Sequence, residues 1–120
     1  MNFELTDERQ MLQDSLRRYL SDGYSNEKIR SLLESDTGYC PENWAGLADM
    51  GVIGALFDEN DGGYGGAGFD IALVFEELGR VGAVDPLLDT AVLGGGALAV
   101  SGNEAQKAHI ESIIDGSLQM

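Results

Sequence analysis

Residues 44–80, WAGLADMGVIGALFDENDGGYGGAGFDIALVFEELGR, place a glycine-rich turn between a short apolar run and a helical pattern. Residues 63–68 match G-x-G-x-x-G, the pattern of dinucleotide-binding loops. However, Asp58, Glu59 and Asp61 precede these glycines, and each would repel a phosphate by about 1 kcal/mol or more. No lysine follows in the Walker position. We therefore expect the glycines to supply positive φ angles for a tight connection between two helices.

A calcium loop is a second interpretation of the same acidic stretch. Asp58 and Asn60 could fill the first two ligand positions of such a loop. Gly62 then stands where a third Asp or Asn belongs, and Phe69 stands where the bidentate Glu belongs. The single cysteine and the single histidine have no partner at zinc-ligand spacing. The sequence therefore predicts no metal ligands.

Helical periodicity dominates the chain and predicts an all-α fold, a six-helix bundle of orthogonal or up-and-down type. Thr6, Ser25 and Asn103 are expected N-caps, and Gly51 and Gly116 are expected C-terminal stops. The six segments are TDERQMLQDSLRRYL, SNEKIRSLLES, PENWAGLADM, FDIALVFEELGRVG, LLDTAVLGGGALAV and EAQKAHIESIID.

Two of these helices show a clear apolar face. In the first helix this face carries a set of residues spaced three and four apart, which should be buried. They are Met11, Leu12, Ser15, Leu16, Tyr19 and Leu20. In the fourth helix, Ile71, Val74, Phe75 and Leu78 form the apolar face. Glu76, Glu77 and Arg80 are expected largely on the opposite, solvated side.

The fifth helix is apolar nearly all round, which predicts the central and most buried helix of the bundle. Asp85 and Pro86 give it a cap-then-proline start. Gly94, Gly95 and Gly96 each cost a helix roughly 1 kcal/mol relative to alanine. We expect this cost to be offset by close approach of another backbone or of a ligand.

Composition narrows the function classes. The chain has 120 residues, 7 Lys and Arg against 21 Asp and Glu, and a formal charge of -14. Such a field repels nucleic acid and anionic lipid headgroups. The first residues have no basic region followed by an apolar one, and no apolar run is long enough to span a bilayer. We expect one soluble, cytoplasmic domain over residues 1–120.

The ordered set of motifs resembles the N-terminal α-helical domain of the acyl-CoA dehydrogenase family. The pattern is a Trp-centred helix ending at glycine, a short apolar stretch, an acidic Tyr-Gly-Gly-x-Gly turn, an E-E-L-G-R helix and a G-x-x-x-Q-K helix. The resemblance covers essentially the whole chain. In this family the glycine turn is a helix connection and not the flavin site. The resemblance implies that residues 1–120 are a fragment lacking a middle β-domain and a C-terminal helical domain.

The resemblance implies an FAD-dependent enzyme that oxidises an acyl-CoA thioester to its trans-2-enoyl-CoA. Its catalytic glutamate and most of its flavin contacts belong to the other two domains, so no catalytic or cofactor-binding residue is assigned in this chain. Implied partners are the acyl-CoA substrate, an electron-transfer flavoprotein, and further full-length subunits of a homo- or hetero-oligomer. A fatty, dicarboxylic or steroid side-chain thioester is left open.

By position in the fifth helix, the resemblance implies that Leu88, Asp89, Val92 and Leu93 form one wall of the acyl pocket. A purely structural role in the core remains open for the three apolar residues. Asp89 is either exposed in the first turn or faces a polar end of the substrate tail.

Two alternatives remain beside a dehydrogenase domain. The chain could be a stand-alone acidic helical module that docks on a basic partner. It could also belong to a non-catalytic subunit of a heteromeric dehydrogenase.

Overall fold

In the computed structural model, which describes residues 2–120, the regular elements are helices, with no strand in that range. The six predicted segments are all helical, which confirms the all-α, six-helix fold. The helices are α1 (Asp7–Gly23), α2 (Asn26–Leu33), α3 (Pro41–Asp49), α4 (Gly68–Val81), α5 (π-helical Leu88–Gly95, then α-helical Gly96–Ser101) and α6 (Glu104–Lys107 and His109–Ile114, interrupted at Ala108). Two 3₁₀ turns, Gly54–Leu56 and Glu59–Asp61, fill the connection between α3 and α4.

Side-chain caps set where the helices begin. The side chains of Thr6, Ser25 and Asn103 each accept a hydrogen bond from the backbone N–H three residues further on. Gly51 and Gly116 adopt φ angles of 81° and 86° just after α3 and α6. These left-handed angles cost glycine little and other residues more, so both glycines act as the predicted stops.

The core lies between α1, α3, α4, α6 and the 3₁₀ turn Gly54–Leu56. Trp44 of α3 is buried, and its Nε1 donates to the carbonyl of Gly116 at 3.1 Å, which fixes the chain after α6 against α3. Met11 and Ser15, predicted on the buried face of α1, are exposed, because they lie one turn apart at the edge of that face. Leu12, Leu16 and Leu20 pack on the core. Side chains with no exposed surface include Leu16, Leu20, Leu47, Val52, Ile53, Val74, Leu87 and Ile113.

Helices α1 and α4 run parallel and are joined by two ion pairs. Arg9 Nε lies 2.7 Å from Asp70 Oδ1 near the start of both helices. About two turns further on, Arg17 binds Glu77 through Nε–Oε2 at 3.0 Å and Nη2–Oε1 at 2.6 Å. The first pair spans 61 residues and the second 60. This near-constant separation fixes the register of the two helices.

Glu77 is 1% exposed, so the expectation of a solvated side chain at this position was wrong. A buried carboxylate is tolerated only when it is paired and hydrogen-bonded. The two hydrogen bonds from Arg17 lower the pKa of Glu77, although burial acts in the opposite direction. Arg80, one turn further along α4, adds a contact of 3.6 Å from its Nε to Oε2. Glu76 is exposed, as predicted.

A third polar contact continues this register beyond α4. The hydroxyl of Tyr24 donates to Asp85 Oδ2 at 2.6 Å, again across 61 residues. Burial raises the pKa of Asp85, and its Oδ1 is buried without a hydrogen-bond partner. Asp85 was expected to cap the fifth helix, but its carboxylate accepts from Tyr24 instead. Pro86 does lie at the start, where its carbonyl accepts from the N–H of Thr90.

None of the helices within residues 2–120 combines the length and the apolar character that a bilayer crossing requires.

Glu77→Gln tests the buried pair. The amide turns a donor towards Arg17 and removes charge-assisted hydrogen bonds, so the free energy of unfolding at pH 7 should fall by about 2 kcal/mol. Because the folded-state pKa of Glu77 lies below its ordinary value of 4.5, this contribution is complete above that pH and is lost as the pH falls through the lowered pKa. Urea unfolding at several pH values measures both effects.

The matched control is Glu76→Gln, which removes the neighbouring but exposed carboxylate. Its free energy of unfolding should stay within about 0.5 kcal/mol of the wild type. Two results would contradict a stabilising pair of Arg17 and Glu77. One is an equal effect of the two substitutions on the free energy of unfolding. The other is a difference in that free energy between wild type and Glu77→Gln that does not shrink in acid.

Candidate functional site

Helix α5, which the sequence predicts to be buried, exposes several large apolar side chains. We expected α5 to be the central helix, but this was wrong: Leu88 is 50% exposed, Leu93 58% and Val100 88%. Only one side of α5 packs on the bundle. The buried residues on this side are Thr90, Ala91 and Gly95 of α5, together with Leu87 just before the helix. The sequence of α5 is apolar all round, but within residues 2–120 only one side of the helix is covered.

The first half of α5 is π-helical, which the sequence did not reveal. Its end is marked by the N–H of Gly96, which bonds to the carbonyl of Ala91, five residues earlier. A π-helix has more residues per turn than the 3.6 of an α-helix, so residues five apart point in more similar directions around the helix axis than they would in an α-helix. The π-helical turns thus bring Leu88 and Leu93 to the same side of α5. π-Helical turns are rare and are frequently found at functional sites.

A groove of about 200 Å³ runs between α5 and the glycine turn. Val92 is the only one of the four predicted pocket residues that lines it. Leu88, Asp89 and Leu93 are exposed on α5 outside this groove. The other lining residues are mostly apolar, with two acidic side chains among them: Leu56, Phe57, Asp58, Asp61, Gly66, Ile71, Ala91, Gly96, Ala99 and Val100.

The three consecutive glycines of α5 meet different surroundings. A Cβ at Gly95 would overlap the ring of Phe57, 2.8 Å from Cε1 and closer still to Cζ. A Cβ at Gly94 would lie 3.1 Å from the sulfur of Met120. At Gly96 nothing lies within 4 Å of the added atom. Close approach thus accounts for Gly95, which meets the ring of Phe57, and in part for Gly94, which meets the side chain of Met120 and the backbone carbonyl of Asp89. Gly96 has no such neighbour.

The glycine turn is packed as a helix connection. The N–H groups of residues 63–66 all donate to backbone carbonyls of residues 54–58, at 2.9 to 3.1 Å. A phosphate cradle needs such amides free to point at the ligand. Gly62 and Gly66 have φ angles of 91° and 82°, as the predicted tight connection requires. Residues 2–120 also contain no group of three His, Cys, Asp or Glu side chains placed to hold a metal ion.

A family model and a curated relative both match this chain, and they indicate the same protein family. The family model described as acyl-CoA dehydrogenase, N-terminal domain, matches residues 6–116. Acyl-CoA dehydrogenase IpdE2 of Mycolicibacterium smegmatis is 31% identical over 114 residues. This match covers 94% of the present chain and 35% of the relative. The chain therefore spans about a third of the length of this curated relative.

Solved structures agree on the fold. The ChsE4-ChsE5 complex from Mycobacterium tuberculosis superposes with a TM-score of 0.86 at 28% identity, over 99% of this chain and 33% of that one. A variant of the steroid ACAD Tcur3481-Tcur3483 also has a TM-score of 0.86 at 28% identity, over 94% of this chain and 31% of that one. The likeness thus extends along nearly the whole chain but over only a third of each solved chain.

Gly95→Ala and Gly96→Ala form a matched pair of tests for the packing of α5. At Gly95 the new methyl group must displace the buried ring of Phe57, so we expect a loss of about 1 to 3 kcal/mol in the free energy of unfolding. At Gly96 the methyl group enters open space in a helix, so we expect a gain of roughly 0.5 to 1 kcal/mol. Urea unfolding of the two variants should give opposite signs, and equal signs would contradict this packing.

Proposed function

Because this chain belongs to the acyl-CoA dehydrogenase family, as its N-terminal domain, we propose that it works within a longer FAD-dependent enzyme. This enzyme oxidises an acyl-CoA thioester to the trans-2-enoyl-CoA. In the proposal a middle β-domain and a C-terminal helical domain complete the subunit and supply the catalytic base. The observation that carries it is the family match over residues 6–116 in a chain whose α5 leaves an apolar side open.

The flavin is assigned to the rest of the subunit because the residues described here do not fit it. In the glycine-rich turn, the amides of residues 63–66 are satisfied by carbonyls of residues 54–58, and exposed Asp58 and Glu59 lie beside it. A pyrophosphate would meet negative charge there and few free donors. This domain therefore acts through shape and apolar surface. It excludes water from one side of the acyl chain and contacts the neighbouring domains.

Within this proposal, Leu88, Val92 and Leu93 form the acyl-facing wall. Each apolar side chain that is covered by a hydrocarbon tail contributes roughly 25 cal/mol per Å² of surface removed from water. Leu88 and Leu93, each at least half exposed, have the most surface to gain. Asp89, exposed beside Leu88, would meet only a tail with a polar end.

Two finer proposals concern substrate and assembly. A steroid-type thioester is supported by the steroid ACAD among the similar structures. Assembly with a second, different subunit is supported by the ChsE4-ChsE5 complex. The same observation favours the second candidate function, a non-catalytic subunit whose partner keeps the active site. Reoxidation by an electron-transfer flavoprotein and a cytoplasmic location stay predictions.

The decisive test of the proposed function uses the full-length protein. We expect it to purify with bound flavin, and we expect anaerobic addition of an acyl-CoA panel to bleach the visible flavin absorption and yield enoyl-CoA. The panel should contain short, long, dicarboxylic and steroid side-chain thioesters. A flavin-free protein of 120 residues that remains monomeric would instead favour the stand-alone acidic module. Activity that appears only with a second subunit would favour the non-catalytic role.

Leu93→Ala tests the wall of the acyl pocket in the same full-length protein. The truncation removes apolar contact with the tail, so KM for the best substrate should rise about tenfold while kcat changes little. Leu33→Ala is the matched control, because Leu33 is also an exposed leucine but lies on α2. It should leave KM unchanged. Asp89→Ala should slow the enzyme only if the substrate tail has a polar end.

A further inference from the structure

Thr90 is a buried polar residue in the π-helical part of α5. It has no exposed surface, and its Oγ1 lies 3.1 Å from both the backbone N and the backbone O of Met120. The hydroxyl therefore accepts from the amide and donates to the carbonyl of one residue. This uses the single donor of the hydroxyl and one of its acceptor positions.

The chain segment that meets Thr90 is held at its other end as well. Residues 116–120 return from α6, and the carbonyl of Gly116 accepts from Trp44 Nε1 at 3.1 Å. The side chain of Met120 lies over Gly94, where an added Cβ would be 3.1 Å from its sulfur and 3.3 Å from its Cβ. Met120 thus contacts the π-helical part of α5 at Thr90 and again at Gly94. A side chain at Gly94 would be tight against Met120, which would have to shift to keep this second contact.

A buried hydroxyl that loses its partners is costly, so this contact resists any rotation of α5 that would withdraw Thr90 from Met120. Such a rotation would change which side chains of α5 form the proposed acyl-facing wall. An α-helix has 3.6 residues per turn, so in that register Leu88 and Leu93 would diverge to different sides. In the π-helical register they lie on the same side.

We propose that Thr90 is a positioning residue that fixes the π-helical register of α5 against the backbone at Met120. It thereby sets which side chains face the acyl tail. The inference rests on the proposed function, because that function identifies the acyl tail. The contact between Thr90 and Met120 does not depend on it. Thr90 does not touch the substrate; it acts through Leu88 and Leu93. Its effect should therefore fall on substrate selectivity and KM, with little effect on kcat.

The test compares Thr90→Val with Thr90→Ser in the full-length protein. Valine keeps the shape and removes both hydrogen bonds, while serine keeps the hydroxyl. Hydrogen exchange followed by mass spectrometry, on peptides covering residues 88–96 and 116–120, should show about tenfold faster exchange in Thr90→Val and wild-type exchange in Thr90→Ser. KM for the preferred acyl-CoA should rise in Thr90→Val, with kcat little changed and the order of preference altered. Serine should restore both.

Gly94→Ala provides a second route if the valine variant does not fold. The added methyl group would lie 3.1 Å from both the sulfur of Met120 and the carbonyl oxygen of Asp89. It should raise exchange in the same two peptides, by less than Thr90→Val does. Gly96→Ala, which meets open space, is its control. Wild-type exchange and wild-type substrate preference in both Thr90→Val and Gly94→Ala would overturn the inference. A wild-type protein inert to every acyl-CoA, in which exchange still separates valine from serine, would support the positioning role and contradict the proposed function.

Discussion

The buried carboxylate of Glu77 constrains the arrangement of the whole bundle. It lies between α1 and α4, where Arg17 meets it with two hydrogen bonds. An unpaired charge at this depth would be strongly destabilising, so α1 and α4 can pack only in a register that brings the two together. The pair of Arg9 with Asp70 precedes it, at nearly the same sequence separation. The contact between Tyr24 and Asp85 repeats that separation and carries the register to the start of α5.

The register of α1 and α4 affects how α5 packs and which of its side chains are exposed. With α4 fixed on α1, and with Trp44 holding the chain after α6, α5 packs at the margin of the core through one side only. The opposite side keeps Leu88 and Leu93 in solvent. We propose that this apolar surface, on an otherwise acidic domain, is covered by groups outside residues 2–120. The proposed enzyme gives it two uses, namely an acyl chain and the neighbouring domains.

Local signals explain what the sequence predicted correctly. Caps such as Thr6 and stops such as Gly116 depend on backbone geometry within a few residues, so the helix boundaries followed from short patterns. The burial of Glu77 did not follow, because its partner lies 60 residues away and periodicity alone assigns charge to solvent. The sequence pattern also did not predict the π-helical register of α5. The contacts that α5 makes in this register, of Gly95 with Phe57 and of Thr90 with Met120, join residues that are 30 or more positions apart and form only in the tertiary fold.

Photolabelling can show whether the open side of α5 faces an acyl chain. An acyl-CoA that carries a diazirine at the far end of its chain would be bound to the full-length protein, irradiated, and its attachment sites located by peptide mass spectrometry. We expect labels on the peptide that contains Leu88, Val92 and Leu93, and we expect unlabelled substrate to compete with this labelling. Competable labelling confined to other parts of the protein, with none on this peptide, would contradict it.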